Sequence, residues 1–104
     1  MGVRIAGSGI GLPETSVLNQ ELVGEYGYPI SSVDISEKIG IDERRIAELD
    51  ERLVPIASVA ARAAIKDAGF NDPSESKIDQ IIFATCTPDD VMPSSAAQLA
   101  GELG

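Results

Sequence analysis

Ile81-Ile82-Phe83-Ala84-Thr85-Cys86-Thr87-Pro88-Asp89-Asp90-Val91-Met92-Pro93-Ser94-Ser95-Ala96-Ala97-Gln98-Leu99-Ala100-Gly101-Glu102-Leu103-Gly104 reads as an apolar strand, a polar loop and an alanine-rich helix. The strand reaches back to Ile78, and a short apolar run bounded by turn residues suits a strand buried on both faces. Ser94 or Ser95 can cap the helix, and Ser95-Ala96-Ala97-Gln98 has the spacing of a capping box. Ligands of open α/β sheets gather beyond the carboxyl ends of strands, which makes the loop a first candidate site. The chemistry it serves is expected to need residues beyond Gly104.

Upstream, Val3-Arg4-Ile5-Ala6-Gly7 reads as a first strand that leads into Ser8-Gly9-Ile10-Gly11-Leu12-Pro13. The glycines permit positive φ or close backbone approach, and Pro13 stops further pairing. Ser16 or Asn19 can cap a short helix over 20–25, closed around Gly24 and Gly27. Ser32 can start a second, with Gly40 at its end. Ile41 to Ala47 reads as a charged connector. Pro55 is tolerated only in a first turn, so the main helix starts near Leu53, runs to about Asp67-Ala68 and closes at Gly69. Alanines at 57, 60, 61, 63, 64 and 68 surround most of it, as expected of a helix buried between layers. Asn71 to Ser76 is a turn. Strand, crossover helix and strand suggest parallel strands in an α/β layer. Two strands make a thin sheet, so further strands are expected from elsewhere.

At 104 residues the chain is one domain or a piece of one. Its 17 acidic and 8 basic residues give a net charge of −9, which disfavours nucleic-acid binding and suits a soluble cytoplasmic protein. One cysteine excludes an internal disulfide, and the absence of histidine excludes a histidine-containing triad, a Cys–His dyad and His-ligated zinc. No metal and no resident cofactor is expected. No run approaches the ~20 apolar residues of a membrane span.

Gly7-Ser8-Gly9-Ile10-Gly11-Leu12 is not a dinucleotide fingerprint, because the third glycine would fall at Leu12 and no helix opens there. Cys86 ends a strand, but its neighbours include Asp89 and Asp90 and no cation, so a small pocket-wall residue is the better reading than a nucleophile. Asp89 and Asp90 read as solvated loop carboxylates rather than an acid–base or metal pair. Lys38, Arg44 and Arg45 form the local basic cluster: surface ion pairs, or an anion site. Met92-Pro93 puts an apolar side chain on a loop tip, as a lid or interface plug does.

Together these segments resemble the N-terminal part of β-ketoacyl-acyl-carrier-protein synthase III, a condensing enzyme of the thiolase superfamily. The resemblance rests on Gly7-Ser8-Gly9 with Leu12-Pro13-Glu14, Asn19 and Leu22, and Gly40-Ile41-Asp42-Glu43-Arg44-Arg45. It continues through Ala60-Ala61 to Ala68-Gly69, Ile78-Asp79 with Ile81-Ile82, Ala84-Thr85-Cys86-Thr87-Pro88 and Pro93-Ser94-Ser95-Ala96. It implies an incomplete, layered thiolase-like α/β fold over residues 1–104. It also implies a homodimer acting on acyl-coenzyme A or acyl-carrier-protein thioesters, without nucleic-acid or membrane partners. Members transfer an acyl group to a cysteine and condense it with malonyl-acyl-carrier-protein, losing carbon dioxide. Their cysteine, His and Asn match no residue here, so this chain alone is expected to be inert. By the resemblance Cys86 lies near the pocket floor, Met92 enters the partner's acyl pocket and Lys38 contacts coenzyme A phosphates. Asp34 stands where many members stack a Trp on adenine, leaving coenzyme A held differently or a carrier protein as donor. A non-catalytic interaction module, or an acyl-binding subunit paired with a catalytic chain, are the readings from other classes.

Overall fold

The computed structural model describes residues 2–104, which form two compact units: residues 2–11 with 51–104, and Leu12–Asp50. In chain order the elements are β1 (Ser16–Leu18), α1 (Asn19–Tyr26), α2 (Ser32–Ile39), β2 (Glu43–Arg45), α3 (Leu53–Asp67), a 3₁₀ turn (Pro73–Ser76) and α4 (Ser95–Leu103).

In the Leu12–Asp50 unit, β1 and β2 pair antiparallel, with Val17 opposite Arg44. The bonds from Ile46 N–H to the Thr15 carbonyl and from Asn19 N–H to the Asp42 carbonyl extend the pairing at both ends. Leu18 precedes α1 without a capping oxygen, and Glu21 compensates by accepting the Leu18 N–H at 2.9 Å. The Ser31 hydroxyl caps α2 by accepting the Asp34 N–H, one residue before the start expected from sequence. Gly27 and Gly40 end the two helices in the left-handed conformation, φ 65° and 73°. Val17, Leu22 and Ile35 form the core, with Val23, Ile30 and Ile46 packed on it.

In the other unit, α3 begins at Leu53 with Pro55 in its first turn, and α4 packs against it. Val54, Ile65 and Leu99 are the buried apolar residues. The segment with Gly7, Gly9 and Gly11 runs along α3 in the opposite direction. A Cβ on Gly7 would fall 2.3 Å from the Ala64 carbonyl oxygen, one on Gly9 2.2 Å from that of Ala60, and one on Gly11 2.1 Å from that of Ile56. Two extended residues advance about 6.7 Å and four helical residues about 6 Å, so every second residue meets the next turn of α3. Close approach, not positive φ, is what these glycines serve.

Several expectations are corrected. Residues 3–7 and 78–84 belong to no helix or ladder among the described residues, and the ladder that does form is antiparallel, joining Ser16–Leu18 to Glu43–Arg45, the latter inside what reads from sequence as a charged connector. Val3, Ile5 and Ile82 stay exposed. α3 is covered by the glycine segment and α4, while Val59 remains open. The α4 cap is Ser94, whose Oγ accepts the Ala97 N–H at 3.3 Å. Ala97 therefore holds the third helical position and no capping box forms.

Candidate functional site

The loop over residues 85–94 carries two of the three candidate residues. At its start the Thr87 N–H donates to Thr85 Oγ1 at 3.0 Å, and Cys86 sits exposed at the crest of that turn. Asp89 turns back onto α3. Its Oδ1 accepts the Leu53 N–H at 2.9 Å and its Oδ2 the Val54 N–H at 3.0 Å. These two bonds, with a smaller contribution from the Arg52 guanidinium 3.7 Å away, hold the Asp89 carboxyl below the usual carboxylate range. Asp90 pairs with Arg52 and accepts from Gln98 Nε2 at 3.3 Å. Neither aspartate is the freely solvated loop carboxylate expected from sequence.

Beyond Asp90 the chain is free for two residues. Val91 is 89% and Met92 83% exposed, and both side chains stand in solvent. The Met92–Pro93 peptide is cis. Gln98 Nε2 also donates to the Pro93 carbonyl at 2.9 Å, after which Ser94 opens α4. A groove of about 310 Å³ runs along this loop, lined by Phe83, Thr85, Pro88, Val91, Ser94 and Ser95 among others. Cys86 and Met92 lie on the same loop without lining that groove.

Lys38 lies in the Leu12–Asp50 unit, on the last turn of α2, where a cation complements the helix dipole. Its Nζ pairs with Asp34 at 3.2 Å across one helical turn, and Asp34 also accepts the Ser31 hydroxyl at 2.7 Å. The other cations of the basic cluster are engaged elsewhere. Arg44 donates to Asn19 Oδ1 at 2.7 Å, and Arg45 donates to the Pro13 and Glu14 carbonyls at 2.9 and 3.2 Å. Lys38 is thus in a surface ion pair, while Arg44 and Arg45 each spend one guanidinium nitrogen on the fold of this unit and also line a groove with Leu12, Pro13, Ile41 and Glu43.

Asn19, read from sequence as a helix cap, is a buried hub. Its Nδ2 donates to Ser36 Oγ at 2.9 Å and to the Ile41 carbonyl at 2.7 Å, while its Oδ1 holds Arg44. These bonds tie the start of α1 to α2, to the link after α2 and to β2. Both the capping pattern and the resemblance pointed at this position, without its role.

No protein-family model matches the chain. A β-ketoacyl-acyl-carrier-protein synthase III from Nostoc sp. is 41% identical over 104 residues, which is 100% of this chain and 30% of that protein. The crystal structure of 3-oxoacyl-acyl-carrier-protein synthase III from Aquifex aeolicus superposes with a TM-score of 0.81 at 36% identity, over 98% of this chain and 31% of that one. The priming β-ketosynthase of a polyketide biosynthetic pathway gives a TM-score of 0.81 at 34% identity, over 97% of this chain and 29% of that one. The chain thus spans about three-tenths of the length of the relatives it matches, and in sequence and fold it corresponds to an N-terminal part of a β-ketoacyl-acyl-carrier-protein synthase III-like, thiolase-like protein.

Proposed function

We propose that this chain is the N-terminal segment of a decarboxylating condensing enzyme of the synthase III type, working in fatty-acid or polyketide biosynthesis. The observation that carries this reading is similarity running through the whole chain, at 41% identity to one such synthase and a TM-score of 0.81 to another. In the proposed reaction a cysteine thiolate attacks the carbonyl of an acyl thioester, the incoming C–S bond breaks, and the carrier thiolate leaves. Malonyl-acyl-carrier-protein then loses carbon dioxide. The resulting carbanion attacks the acyl-cysteine, forming the C–C bond and releasing the cysteine. With no histidine in 104 residues, the His lies outside this segment, and the resemblance to the synthases places the nucleophilic cysteine and the Asn outside it as well.

In this reading Lys38 contacts the phosphates of coenzyme A, Cys86 lines the floor of the acyl pocket, and Met92 of one protomer enters the pocket of its partner in a homodimer. The enzyme works in the cytoplasm on thioesters and has no nucleic-acid or membrane partner. Its net charge of −9 supports the first of these exclusions. No helix among the described residues is long and apolar enough to cross a membrane. A second reading of the donor, favoured by the Asp34–Lys38 ion pair, is an acyl-carrier-protein thioester, because a carboxylate beside Lys38 weakens its hold on phosphate.

The test is the complete reading frame. A cysteine opening a helix shortly after Gly104, with His and Asn farther on, and carbon dioxide release from malonyl-acyl-carrier-protein by the purified product, are the expected results. A frame without that cysteine sinks the condensing-enzyme reading and leaves an interaction module or an acyl-binding subunit.

A further inference from the structure

Resting on that reading of Met92, we infer that Gln98 is a positioning residue: its side-chain amide closes the neck of the Val91–Met92 loop and thereby fixes where the acyl gate stands. The two hydrogens of Gln98 Nε2 reach opposite sides of the loop, one to Asp90 Oδ2 at 3.3 Å and one to the Pro93 carbonyl at 2.9 Å. Only Val91 and Met92 lie between those acceptors. Each side of the neck has a second anchor. Asp90 is paired with Arg52, and Asp89 beside it is bonded to the first two N–H groups of α3. On the far side Ser94 caps α4, the helix that carries Gln98.

An untethered loop would turn its apolar tip inward, because burying apolar surface is favourable. Here the tip points out, at 89% and 83% exposure, between groups that are all held. Met has three rotatable side-chain bonds and adapts its shape. A gate built on it discriminates between acyl chains only if the backbone beneath is fixed, and the neck supplies that.

The experiment uses the product of the complete reading frame, labelled with ¹⁵N-methionine, the Met92 signal being assigned by its loss in Met92→Leu. A rigid amide has an order parameter of about 0.85 and a flexible one below about 0.6. Wild type is expected near the first value and Gln98→Ala near the second. Asp90→Asn, which keeps an acceptor for Gln98, is expected to stay close to wild type, and Asp90→Ala to follow Gln98→Ala. Across a series of acyl-coenzyme A chain lengths, Gln98→Ala should reduce discrimination by about ten-fold, the scale of a methylene in an apolar pocket.

A flexible Met92 in wild type, or an unchanged one in Gln98→Ala, overturns the inference. So does a profile that Met92→Trp shifts and Gln98→Ala does not. If Met92→Trp leaves the profile unchanged, the gate reading falls instead, and the order parameter alone upholds or overturns the neck.

Discussion

Asp89 accepts the Leu53 N–H at 2.9 Å across 36 residues of chain, so the first turn of α3 is capped from the candidate site rather than from its own sequence. The residue before α3, Arg52, has no capping oxygen. A carboxylate at a helix N-terminus gains from both the orphan N–H groups and the dipole. Asp89→Ala is therefore expected to lower the melting temperature and to loosen the candidate loop in the same variant. Asp89→Asn, which keeps an acceptor, should lie between. Thermal melts of the three proteins check the order, and an unshifted Asp89→Ala would mean that the cap contributes nothing.

The same contact sets a pH dependence. Asp89 is held below the ordinary carboxylate value of 3.8 by the Leu53 and Val54 N–H groups, and Asp72 below it by the hydroxyl and then the backbone N–H of Ser74. For a lowered carboxyl the folded state binds its proton less readily than the unfolded chain. The stabilisation is complete above about pH 5 and is lost as pH falls below 3.8 through the folded values. Denaturant midpoints measured from pH 6 down to pH 2 should fall in that window, and less steeply in Asp89→Asn.

Gly9→Ala tests the contact between the opening segment and α3. The added Cβ would meet the Ala60 carbonyl oxygen at 2.2 Å and the Ala64 nitrogen at 2.5 Å, both backbone atoms of a helix that cannot yield locally. Overpacking of this kind costs about 1–3 kcal/mol. Gly24→Ala, where nothing lies within 4 Å, is the control and should cost nothing. Equal stabilities for the two variants would place the opening segment away from α3.

The helices were legible because their signals are local. Pro55 fixes the start of α3, Gly40 and Gly69 mark ends, and a serine opens α4. The β1–β2 ladder was not legible, since three-residue strands carry too little alternation to register. Segments 3–7 and 78–84 read as strands because they have the composition of buried strands, but composition does not show whether a partner lies alongside, and neither segment pairs among the described residues. The roles of Asp89 and Asn19 are set by partners 36 and 25 residues away, which neighbouring sequence cannot reveal. Of the candidate site, Lys38, Cys86 and Met92 stood out from their own residue types and positions, and their specific roles came from the resemblance. What the structure adds is the neck beneath Met92 and the carboxylate beside Lys38.

Asn19 should be among the least replaceable residues of the Leu12–Asp50 unit. It is 5% exposed, and removing its amide leaves the Arg44 guanidinium, the Ser36 hydroxyl and the Ile41 carbonyl each short of a partner. Losing a bond to a charged donor in such a place costs about 1.5–3 kcal/mol, before the neutral bonds are counted. Asn19→Leu, similar in size but without donors, should therefore lower the unfolding free energy measured by denaturant titration by at least that much. A loss below about 0.5 kcal/mol of unfolding free energy, the size of an ordinary surface change, would show that water replaces the amide without loss.

Lys38 and Asp34 allow the proposed donor to be read from kinetics. Both side chains are largely in solvent and one helical turn apart, so their ion pair is worth only about 0.3–0.5 kcal/mol, a factor of roughly two in an equilibrium. If coenzyme A phosphates bind at Lys38, they compete with the Asp34 carboxylate for its ammonium. Asp34→Ala should then lower KM for an acyl-coenzyme A by about two-fold, and Lys38→Ala should raise it, with kcat little changed in both, because phosphate contacts are made equally in ground and transition states. Raising the salt concentration should shrink both effects, as it does for any exposed charge pair. With an acyl-carrier-protein thioester as donor, the Asp34→Ala gain should be absent. Responses of equal size to the two donors would remove Lys38 from coenzyme A recognition, and a gain confined to the carrier-protein donor would favour the second reading of the acyl source.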